Sequence, residues 1–156
     1  MIMTNSNVDT TQDMVIEGYA LIFNSLSNDV GGFKERVLPN ALDDVDISDV
    51  KCLINHEDRY VIGRTKAETL ELTLDSKGLK FKCKLPNTSY AKDIYENIDV
   101  GNVNECSFHA WFPKDNNGKD TGYFWTVEQG EYVRNVEQFD KLLDVSVVTT
   151  PAYKAV

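Results

Sequence analysis

The feature that most constrains this chain is an alternation broken once by a turn. Leu70, Leu72 and Leu74 alternate with polar residues, Asp75-Ser76-Lys77-Gly78 interrupts them, and Leu79, Phe81, Cys83 and Leu85 resume the period of two. That period puts every second side chain on one face of an extended strand, so the stretch predicts a β-hairpin with one buried face. A lone hairpin is marginal in water, so the rest of the chain must cover that face.

Other stretches read as strands by the same rule. They are Met14 to Asn24, Phe33 to Leu38, Val50 to Asn55 with His56 at its end, Val61 to Arg64, Asn104 to Phe112, Phe124 to Val127, Tyr132 to Phe139, and Asp144 to Thr149 closed by Pro151. Ser25 to Gly32 and Lys114 to Gly122 read as loops, and Asp58 as part of a polar turn. Tyr90, Ala91, Ile94, Tyr95 and Ile98 follow helical spacing, with Thr88 or Ser89 as the cap and Gly101 as the stop. Pro39-Asn40-Ala41-Leu42 reads as the start of a second, short helix. Residues 1–13 carry little to bury and read as a disordered N-terminal tail, leaving 14–156 as one domain. The expected fold class is α+β, mainly β: a small β-barrel of short, mostly antiparallel strands with one or two flanking helices.

Charge and apolar runs narrow the function. A net charge of −9 argues against a nucleic-acid groove, which needs clustered Lys and Arg. There is no apolar run of about 18 residues to span a membrane, and the first residues lack the apolar core of a secretory signal. Three cysteines, an odd number, suit a reducing compartment.

The Asn104–Phe112 stretch carries the chemistry. Its alternation sends Cys106, Phe108, Ala110 and Phe112 to the core and Glu105, Ser107, His109 and Trp111 to the opposite face. A serine there can act as a nucleophile if a base takes its proton and a third group holds that base. The chain has two histidines, His56 and His109, and residue types alone leave both open. His109 lies about 6.6 Å along the strand from Ser107, and same-strand neighbours point side by side. Cys52 with His56 and Cys106 with His109 look like zinc ligands. On strands, though, the first pair is about 13 Å apart and the second lies on opposite faces, so no metal is expected. Cys106 as a nucleophile is disfavoured because the alternation buries it.

Several segments share a resemblance. Asn55-His56-Glu57, Ser107-Phe108 after Gly101-Asn102-Val103, and Leu142-Leu143-Asp144-Val145-Ser146-Val147-Val148-Thr149-Thr150-Pro151-Ala152-Tyr153 carry most of it. Gly18-Tyr19-Ala20, Phe23-Asn24, Pro39-Asn40-Ala41-Leu42 and Gly78-Leu79-Lys80-Phe81 complete the set. In this order, from about Val15 to Tyr153, they resemble the prohead protease family of tailed bacteriophages. The resemblance implies a serine endopeptidase with a fold similar to the herpesvirus assemblins, so that 14–156 is a protease domain. It implies Ser107 as nucleophile, His56 as base and Asp144 as the third member; Glu57, Asp58 and Glu105 compete for that last place because each lies near a catalytic candidate in sequence. His109 stands where relatives more often have a small residue or glycine. The implied substrates are the scaffolding segment of the major capsid protein precursor and the protease itself. The implied place is the interior of the immature procapsid in the host cytoplasm, with no cofactor, no nucleic acid and no membrane. A homodimer is compatible with it. Relatives often continue beyond the equivalent of Tyr153, so a trimmed or self-processed end is also expected. The alternative reading is a non-catalytic procapsid component of the same fold that binds capsid or scaffold protein.

Overall fold

The computed structural model describes residues 1–5 and 13–150. In chain order its elements are β1 (Ile2–Thr4), β2 (Val15–Ile22), β3 (Lys34–Val37), β4 (Lys51–Ile54), β5 (Glu57–Arg64), a 3₁₀ turn (Thr65–Ala67), β6 (Leu70–Leu74), β7 (Gly78–Lys84), α1 (Ser89–Asp99), β8 (Glu105–Trp111), β9 (Tyr123–Glu128), β10 (Glu131–Val136) and β11 (Lys141–Val148).

The hairpin expected around Asp75 is β6–β7, with Leu70 opposite Cys83, Leu72 opposite Phe81 and Leu74 opposite Leu79. The Asp75 carboxylate closes it by accepting from the backbone N–H groups of Lys77 at 2.8 Å and Gly78 at 3.0 Å. Leu70, Leu79, Phe81 and Cys83 are buried, whereas Leu74, at the turn, is exposed. Helix α1 starts where its cap predicts: the Thr88 hydroxyl accepts from the Ala91 N–H at 3.3 Å. It buries Ala91, Ile94 and Ile98 and stops before Gly101, whose φ of 86° is the left-handed conformation that ends helices.

The strands form three sheets, ordered β1-β2-β7-β6, β3-β10-β9 and β5-β4-β11-β8. The fold is mainly β with one α-helix among the described residues, as expected; the expected barrel is not confirmed, because the sheets are not closed into one. None of the three sheets closes on itself; each keeps two edge strands. Two of the pairings are parallel, β3 with β10 and β4 with β11, and the rest are antiparallel. One buried cluster joins the layers: Ile16, Leu21 and Phe81 from the first sheet, Val136 from the second, Cys52, Ile62, Val145 and Val147 from the third, and Ile94 and Ile98 from the helix.

Three local expectations are revised. The N-terminal residues do not begin as a tail: Ile2 is buried and β1 pairs with β2, Ile2 standing opposite Gly18. Gly18 permits that approach, since a Cβ there would lie 2.7 Å from the Met1 carbonyl oxygen. Residues 6–12 of the expected tail, and Pro151, lie outside the described residues. The expected helix after Pro39 is a run of turns instead. The Ala41 carbonyl accepts from the Phe139 N–H at 2.8 Å and so does not serve a helical ladder. Asp58, expected in a turn, lies within β5. Among the described residues no helix is long and apolar enough to cross a membrane.

Two outcomes test this packing. A methyl at Gly78 would lie 1.9 Å from the Leu21 carbonyl oxygen, a backbone atom. Gly78→Ala should therefore cost about 1–3 kcal/mol, read as a lowered urea midpoint with an unchanged slope. The second concerns Glu128, which the Arg36 guanidinium and the Thr126 hydroxyl hold down to about 2. A carboxyl depressed in the folded state contributes stability above its unfolded value of about 4.3, and loses it as pH falls towards the folded value. Glu128→Gln should accordingly flatten the fall in stability between about pH 4.5 and 2, measured by denaturation at each pH.

Candidate active site

Strand β4 hands over to β5 with Ile54 opposite Glu57, so Asn55 and His56 are the two residues of a tight hairpin turn. Both are left-handed, with φ of 51° and 58°. Two-residue hairpin turns require this, and Asn is among the best residues for the first place. His56 occupies the second, where glycine is usual, so its backbone conformation has to be held. Strand β11 holds it. The Asn55 N–H donates to the Val147 carbonyl at 2.9 Å, the Asn55 side-chain oxygen accepts from the Thr149 N–H at 3.1 Å, and the His56 N–H donates to the Ser146 hydroxyl at 3.2 Å.

The other half of the site is set by a bulge. Along the β8–β11 pair, Val147 faces Cys106, Ser146 faces Ser107, Val145 faces Phe108 and Asp144 faces His109, but the next pair is Leu142 with Ala110. Leu143 is the extra residue. The bulge lets Leu142, Val145 and Val147 all join the core while Asp144 and Ser146 point the other way. Directly opposed residues of an antiparallel pair share a face, so Ser107, His109, Asp144 and Ser146 are on one side of this sheet. On β8 the split is the expected one: Cys106 is buried and Phe108 and Ala110 pack on the core, while His109 and Trp111 are exposed.

His56 and Asp144 meet on that face. His56 Nδ1 lies 2.6 Å from Asp144 Oδ1, and the aspartate side chain is only 7% exposed against 35% for the histidine. An ionised carboxylate only accepts, so in a neutral ring this contact selects the tautomer with the proton on Nδ1 and leaves Nε2 as the acceptor. The Ser146 hydroxyl donates to the same Asp144 oxygen at 2.9 Å and lies 3.2 Å from His56 Nδ1. Being on the Nδ1 edge, Ser146 positions the pair and is not placed to give its proton to Nε2. The sequence reading missed this role, although Ser146 lies two residues from Asp144 and so shares its face. His109 Nδ1 stands 3.6 Å from the second oxygen of Asp144, and the two histidine rings are 6.4 Å apart, nearly perpendicular.

The other acids considered for the third place are engaged elsewhere or out of reach. Glu57 pairs with Arg59 at 2.9 Å and Asp58 with Lys51 at 3.3 Å. Among the described residues the ion pairs of both histidines are with Asp144, and none is with Glu105. Arg64 grips Asp49 through both nitrogens of its fork, at 2.6 and 2.7 Å. Ser107 is half-buried opposite Ser146, with Cα atoms of such pairs about 4.5–5.5 Å apart. Among the described residues no hydrogen bond joins it to His56. Cys52, Cys83 and Cys106 are free and buried. Burial pushes the Cys106 thiol up to about 12, and a hydrogen bond with Cys83 together with burial raises Cys52 well above the usual thiol range. Neither supplies a thiolate for a metal or a nucleophile at neutral pH. Among the described residues no three His, Cys, Asp or Glu side chains gather as metal ligands.

A model of the caudovirus prohead serine protease family matches residues 2–156. The chain belongs to that family. No match was found among curated proteins or among solved structures. The prohead serine proteases are serine peptidases, and the family match suggests capsid maturation as the setting.

Ser146→Ala tests the clamp. It removes one donor from Asp144 and the acceptor of the His56 N–H, in a side chain 1% exposed. The expected loss is about 1–3 kcal/mol, read in urea denaturation.

Proposed function

We propose that this chain is a serine endopeptidase of procapsid maturation, with Ser107 as nucleophile, His56 as general base and then general acid, and Asp144 as the group that orients His56. The observation that carries this reading is the 2.6 Å contact from His56 Nδ1 to Asp144, formed on the same sheet face as Ser107. A base must be held in one tautomer to accept a serine proton at its other nitrogen, and a buried carboxylate on Nδ1 does that. In the acylation step Ser107 Oγ bonds to the scissile carbonyl carbon as its proton passes to His56 Nε2. The tetrahedral intermediate then collapses, the C–N bond breaks, and the same proton moves to the leaving amine. Water repeats the sequence on the ester and releases the acid. The absence of a Ser107–His56 hydrogen bond among the described residues is consistent with a site that tightens when substrate binds.

The substrates of this reading are the scaffolding segment of the major capsid protein precursor and the chain itself, inside the immature procapsid. Cleavage there is irreversible, which gives maturation a direction. The unengaged Ser107 also favours a second reading: a procapsid component that keeps the fold and binds capsid or scaffold protein without cleaving it.

A fluorophosphonate probe followed by peptide mapping separates the two. The endopeptidase reading expects label on Ser107, lost in Ser107→Ala and His56→Ala, and loss of capsid-precursor processing when Ser107→Ala replaces the chain. Processing that continues with Ser107→Ala excludes Ser107 as nucleophile. Asp144→Asn should keep the fold and lower kcat by about 10³–10⁴-fold, because His56 would then be held in the wrong tautomer.

A further inference from the structure

Asp144 is shared. Its Oδ1 carries both the His56 and the Ser146 contacts, at 2.6 and 2.9 Å, while its Oδ2 is faced by His109 Nδ1 at 3.6 Å. The register explains the placement, since His109 is the residue of β8 directly across from Asp144. The distance is long for a hydrogen bond but within reach of an ion pair. The His109 side chain is 55% exposed, and its ring also stands edge-on to that of His56, 6.4 Å away.

We propose that His109 is a positioning residue for Asp144: it engages the carboxylate's second oxygen and so sets how strongly Asp144 draws the proton of His56. This rests on the reading of His56 as the base and Asp144 as its orienting acid. The physical argument is a division of charge. A donor or cation at Oδ2 draws part of the carboxylate's charge away from Oδ1, which weakens its hold on a protonated His56. Removing that group leaves the charge to His56 and the Ser146 hydroxyl on Oδ1, so the pull of Asp144 on the His56 proton should strengthen. The other charged groups around them are accounted for. Lys51, across from Asp144 on β4, is bound to Asp58 on β5, and Glu57 in the same hairpin is bound to Arg59. Lys141 on β11 lies over the Trp111 ring at 5.7 Å. Glu105 is on the far side of Ser107 from His109 on β8.

The chain has two histidines, so ¹⁵N-histidine NMR can follow each ring separately. His109→Phe keeps a ring but removes the donor, and His109→Gln keeps a donor but removes the imidazole. The expected result is a His56 titration midpoint displaced to higher pH in His109→Phe and displaced less in His109→Gln. The acid limb of the kcat/KM profile should move with it, while kcat falls about 3- to 10-fold at near-constant KM. Superimposable His56 titration curves for the wild type and His109→Phe would overturn the proposal, whether or not the protein cleaves anything. A displaced curve in a chain that neither cleaves capsid precursor nor takes the fluorophosphonate would support the positioning role and overturn the protease reading instead.

Discussion

The site depends on the burial of Asp144, whose side chain is 7% exposed, because a covered carboxyl group costs free energy unless polar partners meet it. Oδ1 receives the His56 ring and the Ser146 hydroxyl, and Oδ2 faces His109. Each group comes from a different piece of local structure: a tight hairpin turn, the same strand two residues on, and the neighbouring antiparallel strand. β11 is interior to its sheet, between parallel β4 and antiparallel β8, so His56 and His109 are brought to it by backbone pairing, while Ser146 shares its face through the period of two along β11 itself.

The same pairing holds the least favourable backbone in the site. Asn55 and His56 both adopt left-handed conformations, and His56 does so where glycine would be easier. Three hydrogen bonds to Val147, Thr149 and Ser146 fix the turn against the end of β11. The turn that presents His56 and the strand that carries Asp144 are thus one unit. Under the proposed reaction that rigidity serves His56 as base, because small misplacements of a proton-transfer partner cost rate steeply.

Much of this was legible in the residues. The β6–β7 hairpin, the helix with its Thr88 cap and Gly101 stop, and the two faces of the Ser107 strand all follow from periodicity and local chemistry, and the structure reproduces them. Asp144 was distinguished from Glu57, Asp58 and Glu105 by resemblance alone, since nothing in the spacing favours it. The misses share one cause. β1, the turns after Pro39 and the three open sheets depend on partners far along the chain: Gly18 for Ile2, Phe139 for Ala41, and long-range strand pairing for the sheets.

The sequence by itself determined which side chains of each strand face the core, because a period of two is written in consecutive residues. It therefore placed Ser107 and His109 on one face and Cys106 on the other. Only the tertiary structure decided what that face would be shared with. The bulge at Leu143 sets Asp144 across from His109, and the β4–β11 pairing carries His56 to the same carboxylate. His56 and Asp144 are 88 residues apart, and the register that joins them is fixed by packing and backbone hydrogen bonds, which leave no local pattern to read.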